Sequence, residues 1–142
     1  KEEEEEEEEE EGGGEMLKDL HASCCALFLL SFGEFLDQTI LGDYLSERSD
    51  VVYNIEKIRE EYFELVSVSD MSVPAALRKI LSYFRLPGES QKIERIMESF
   101  SKIYFDQNPA VETMFKSADT VLVLSYSLTM LNTDAHNPQV KK

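Results

Sequence analysis

The triplet Leu86-Pro87-Gly88 stands between two runs of apolar residues that share a helical period. Before it, Leu77, Ile80, Leu81 and Phe84 recur at i, i+3, i+4 and i+7. After it, Ile93, Ile96, Met97, Phe100, Ile103 and Tyr104 keep the same spacing. A proline pushes the residue before it out of the helical region, and the Pro-Gly pair marks a turn. One helix must therefore end near Leu86 and a second begin near Glu89, so the chain turns a sharp corner with a carboxylate at its tip. A Glu in a first helical turn has an ordinary purpose, a favourable interaction with the helix dipole of roughly 0.3–1 kcal/mol. The other reading is a charge presented to a partner.

Helical periodicity continues through the rest of the chain. The spacing predicts helices over 16–31, 36–47 with a stripe of Leu36, Ile40 and Tyr44, and 51–66 with Val51, Ile55, Ile58, Tyr62 and Val66 on one face. Ser72 is a candidate N-cap for the helix before the corner, with Pro74 in its first turn. The helix after the corner is predicted over 89–106, closed by Asn108-Pro109. A last helix, 118–132, opens at Ser117 or Asp119 and is apolar on two sides. Val121, Leu124, Leu128 and Leu131 form a stripe assigned to the core. Leu122, Tyr126, Thr129 and Met130 form a second stripe, which either joins that core or lines a groove for a partner.

Charge is concentrated at one end. Residues 1–15 hold eleven Glu and one Lys, so they carry −10 of the net −15. Like charges repel and this segment has nothing apolar to bury, so residues 1–15 are expected to be a disordered acidic tract. Residues 16–142 then form the one domain. The acidic balance argues against nucleic acid, since nothing neutralises phosphates in bulk. No apolar run reaches the length of a membrane span. The adjacent Cys24 and Cys25 suit reduced thiols, and His21 and His136 have no partner at metal-ligand spacing. Phosphate loops, nucleophile elbows and HExxH are absent, so no covalent chemistry is expected.

Three stretches carry a family resemblance. FRLPGESQKIER (84–95) and SADTVLVLSYSLTMLNTDAHNP (117–138) resemble the two signatures of the Sec-seven domain, and LDQTILGDYLSE (36–47) is similar to a family stretch upstream of them. That family comprises guanine-nucleotide-exchange modules acting on ARF-family small GTPases. The resemblance implies an all-α fold, a right-handed superhelical array of short helices, here expected to be incomplete at both ends. It implies exchange without a cofactor of the chain's own, because the partner GTPase carries GDP or GTP and magnesium. It further implies cytoplasmic action in vesicle traffic, peripheral at Golgi and endosomal membranes. A helical docking module or an inactive fragment is the alternative.

Residue by residue, the resemblance assigns Glu89 as the family's glutamic finger. It places Leu122, Tyr126, Thr129, Met130, Asn132 and Asn137 in a hydrophobic groove that accepts the GTPase. Arg85, Gln91, Glu94 and Arg95 would support the loop or its rim. Tyr126, Ser127 and Asp134 match the pattern that accompanies sensitivity to brefeldin A in the large members. The chain departs from the family at Glu94, where Asp is usual, and at Leu122, where an aromatic is common. Upstream of residue 36 the match is poor, and after Lys142 the family domain continues through further helices.

Overall fold

The computed structural model describes residues 2–136, with side chains described for 12–133. Among the described residues there are seven α-helices and no strand: α1 (Glu2–Ser31), α2 (Gln38–Leu45), α3 (Ile55–Val66), α4 (Val73–Leu81), α5 (Ser90–Gln107), α6 (Glu112–Phe115) and α7 (Ala118–His136). Short 3-10 turns at Gly33–Phe35 and Pro109–Val111 precede α2 and α6. The fold is all-α, as the periodicity predicts. None of the helices is long and apolar enough to cross a membrane, among the described residues.

The central layer is α5. All six residues of its predicted stripe are buried, against α3 on one side and α7 on the other. α4 packs on α7 and α5, while α1 lies along α3. Aromatic rings fill the centre. Phe63 of α3 stacks on Phe84 at 6.2 Å with the rings nearly parallel, and Tyr62 meets Phe84 edge-on at 6.5 Å. Phe84 belongs to the corner, so the loop that carries Glu89 is rooted in the middle of the core.

The structure corrects several expectations. α1 runs from Glu2, so the boundary drawn at residue 15 falls inside that helix. Glu is a good helix former, and like-charge pairs cost only about 0.2–0.5 kcal/mol each. Nucleation, the expensive step, is supplied by the half of α1 whose Ala22 and Ala26 are packed in the core. Lys57 of α3 pairs with both Glu15 and Asp19, which ties the tract's last glutamate to the fold.

Within α2 the buried residues are Leu41, Gly42 and Leu45, whereas Ile40 is 69% exposed. The helix is only two turns long and apolar on two rows, so periodicity alone picked the wrong row. α3 starts at Ile55 because residue 54 takes the left-handed conformation (φ 59°), and this leaves Val51 outside the helix and exposed. α4 ends at Leu81, not Leu86. Ser72 holds the N-cap position there without a side-chain capping bond.

The largest correction concerns α7. Its innermost line is Val121, Ser125 and Thr129, while Leu131 is 65% exposed and Leu124 and Leu128 are half-buried. The two hydroxyls can be buried because each donates to its own helix: Ser125 Oγ to the Val121 carbonyl at 2.7 Å, Thr129 Oγ1 to the Ser125 carbonyl at 2.9 Å. Their small size lets α7 lie close against α5.

Candidate functional site

The corner is held from beneath by α2. Asp37 caps that helix, its carboxylate accepting from the Thr39 and Ile40 backbone N–H groups at 2.8 and 3.1 Å. The first α2 residue, Gln38, offers its carbonyl to the Arg85 N–H at 3.0 Å. One turn later, Gly42 lies so close to the Arg85 carbonyl that a Cβ there would sit 1.9 Å from the oxygen. The first turns of α5 close the joint. Lys92 reaches Asp43 and Glu47 at 3.6 and 3.4 Å, and Arg95 Nε donates to the Ser46 carbonyl at 2.8 Å. Glu47 is held below the usual carboxylate range, chiefly by the Arg48 backbone N–H and further by Lys92. The 36–47 stretch is thus a cradle for the 84–95 stretch.

Glu89 is the N-cap residue of α5. Its backbone is extended (φ −79°, ψ 128°), its carbonyl accepts the Ile93 N–H at 3.0 Å, and its side chain makes no capping bond. The carboxylate is exposed and forms no hydrogen bond or ion pair with another described residue. Arg48 feels its charge, but the guanidinium is committed to Asp50. So the ordinary reading of an N-terminal Glu is met only in part: the charge sits at a favourable helix end, yet the side chain does not turn back to bond it.

Beside Glu89 runs a groove of about 870 Å³ between α4, the corner and the last turns of α7. Leu77 and Leu81 form one wall, Leu128 and Met130 the other, and Leu86 and Ile93 lie at the corner end. Gly88 and Ser90, the neighbours of Glu89 on both sides, also line it. Among the described residues, no group of His, Cys, Asp and Glu could hold a metal ion.

The expected site residues divide accordingly. Arg85, Thr129, Met130 and Asn132 line the groove. Leu122 and Tyr126 do not; they are half-buried one and two turns earlier on α7, packed against the core. Gln91 and Glu94 are exposed on the outer face of α5. Arg95 ties α5 to the end of α2. Ser127 is exposed, with its hydroxyl donating to the Val123 carbonyl. The side chain of Asp134, and Asn137 altogether, lie outside the described residues. Leu77, Arg78, Leu81 and Leu128 line the groove without having been singled out for it. Three of them were legible only as core residues, because a periodic leucine carries no mark of whether its far side meets protein or a groove.

Comparison with known proteins agrees with this geometry. The family described as the Sec7 domain matches residues 13–142. The chain is 49% identical over 106 residues to brefeldin A-inhibited guanine nucleotide-exchange protein 2 of Arabidopsis thaliana, covering 75% of this chain and 6% of that protein. It is 48% identical over 109 residues to cytohesin-3 of Rattus norvegicus, covering 77% of this chain and 26% of that one. Among solved structures, it resembles the Sec7 domain bound to ARF1-GDP and brefeldin A, with a TM-score of 0.72 and 40% identity over 82% of this chain and 55% of that chain. It also resembles the Sec7p catalytic domain, with a TM-score of 0.64 and 47% identity over 75% and 53% of the two chains. The chain therefore spans a small part of these full-length relatives and about half of the solved domains. With its two signatures meeting at one groove and its family match reaching from residue 13 to residue 142, the chain belongs to the Sec7 domain family.

Proposed function

We propose that this chain promotes release of GDP from an ARF-family small GTPase, with Glu89 as the group that disturbs the nucleotide site and the groove as the grip. The observation that carries this reading is the placement of an unpaired, exposed carboxylate between two groove-lining residues, on a corner rooted in the core by Phe84. A GTPase holds its nucleotide through magnesium and a phosphate-binding Lys. A carboxylate brought near the β-phosphate repels it and competes for that Lys. At about 4 Å and an effective dielectric near 20, the repulsion is on the order of 4 kcal/mol. If it acts on the bound state alone, that corresponds to about a thousandfold in release rate. Favourable contacts in the groove offset the unfavourable charge, which is why a rigid corner and an apolar groove belong together. The chain needs no cofactor for this, and the site of action would be Golgi and endosomal membranes where the GTPase works in vesicle traffic.

Release of a fluorescent GDP from an ARF-family GTPase tests the reading directly. The chain should accelerate release, and Glu89→Lys should abolish the acceleration while leaving the helical content and melting temperature unchanged, because the side chain is exposed. Binding without acceleration would identify a docking module instead. Sensitivity to brefeldin A is proposed on Tyr126, Ser127 and Asp134. Saturating drug should slow the stimulated release; an unchanged rate would remove that proposal.

A further inference from the structure

The chain has 29 acidic residues and 14 basic ones, yet among the described residues the charged groups lining the groove are Arg78 and Arg85, with no Asp or Glu. Both arginines are exposed, and neither guanidinium has an ion-pair partner among the described residues. Elsewhere Arg48, Lys57, Lys92 and Lys102 each meet a carboxylate, while Arg59, Lys79 and Arg95 donate to hydroxyl or carbonyl oxygens of the chain. Among the described residues, an acidic protein thus leaves two guanidinium groups without an ion pair at the edge of its apolar groove.

We propose that the groove takes an acidic amphipathic protein segment, whose apolar side chains enter between α4 and α7 and whose carboxylates pair with Arg78 and Arg85. This rests on the exchange-factor reading and names the class of surface that the GTPase must present. Guanidinium matches a carboxylate through paired N–H donors, so these contacts add register as well as attraction. Glu89 adds polarity to the arrangement. It repels acid at the α5 end of the groove, so pairing with Arg78 on α4 is favoured over pairing with Arg85, which shares the corner with Glu89. The remaining lining favours a polypeptide over a lipid tail. The Ser82 and Thr133 hydroxyls donate to carbonyls of their own chain and keep lone pairs that can accept from backbone N–H groups.

The test titrates the full chain against ARF1 loaded with fluorescent GDP and compares wild type with the R78A/R85A double variant. Both side chains are exposed, so the fold is expected to survive, and circular dichroism checks it; R78A alone serves as the milder variant. The apparent KM should rise about tenfold in the double variant, with kcat within about twofold, because ground-state and transition-state contacts are lost together. Added salt should raise the wild-type KM and affect the variant less. R78K/R85K should recover part of the loss. An unchanged KM and salt response in the double variant overturns the inference while leaving exchange intact. If the wild-type chain does not accelerate release, the exchange reading fails. Calorimetry with nucleotide-free ARF1 then decides: binding weakened by R78A/R85A supports the inference, whereas absent or unweakened binding overturns it. Arginine-dependent binding to phosphatidylserine vesicles, with arginine-independent binding to the GTPase, would overturn it in favour of a lipid.

Discussion

Tyr62 lies fully buried in the aromatic centre, and its hydroxyl is the buried side-chain polar atom without a hydrogen-bond partner among the described residues. Burial, with a smaller contribution from Tyr83, pushes its pKa up to about 12 from 10.0. The sign follows from the neutral form being the one the core accepts. The contribution of Tyr62 to stability is complete below pH 10 and is lost as the pH rises toward 12. Tyr62→Phe should therefore match or exceed wild type near neutrality, by up to about 1 kcal/mol, because an unpaired hydroxyl no longer loses its hydration. Between pH 10 and 12 its stability should fall less steeply than that of wild type. Urea unfolding across that range checks both points, and a loss above about 1 kcal/mol at neutral pH would mean that the hydroxyl is bonded. Arg59 is the contrasting buried polar residue. Its Nε donates to Ser99 Oγ at 2.7 Å and its Nη1 to the Leu45 carbonyl at 3.0 Å, so the charge that burial penalises is satisfied across three helices. In sequence Tyr62 and Arg59 read as one more stripe residue and one more surface charge. Only the packing separates the unpaired group from the paired one.

At the scale of elements, the joint between α2 and the corner is what positions Glu89 for the proposed exchange. Gly42→Ala would drive a Cβ into the Arg85 carbonyl, and because the obstacle is backbone, the corner itself has to move. Overpacking of this kind costs about 1–3 kcal/mol. The variant should unfold at lower urea and also lose exchange activity beyond what its stability explains, since the moved segment carries Glu89. Equal activity per folded molecule would show that α2 does not position the corner. Helices differ in how plainly their sequence declares their packing. α5 is plain because large apolar residues at unbroken helical spacing dominate its buried face, with Ser99 and Ser101 buried beside them. α7 is not, because Ser125 and Thr129 satisfy their hydroxyls within the helix and so take core positions, while Leu131 remains outside. The two-turn α2 is ambiguous for a simpler reason: with apolar residues on two rows, its context decides which row turns inward.

At the scale of the whole molecule, α1 stands somewhat apart. Its main partner is α3, and a separate small cluster of Ala22, Ile55 and Ile58 joins the two, with Cys25, Leu29, Tyr44 and Val52 around it. Ala22→Glu would bury an unpaired charge there and should detach α1 before the layer of α3, α5 and α7 gives way. Hydrogen exchange should then report lost protection over residues 16–31 with protection kept in α5. Simultaneous loss in both would mean that the helices unfold as one unit. Local chemistry alone determined where the chain turns and what it presents there. Proline and glycine act on their own backbone, helical period is a property of neighbouring residues, and together they put Glu89 at the start of a helix. The tertiary structure decided everything that joins distant residues: the Gly42 backbone against the Arg85 carbonyl, Phe84 under the corner, and a groove whose walls come from α4 and α7. Those contacts depend on which of several apolar faces packs inward, and that choice is made by the whole set of helices competing for one core.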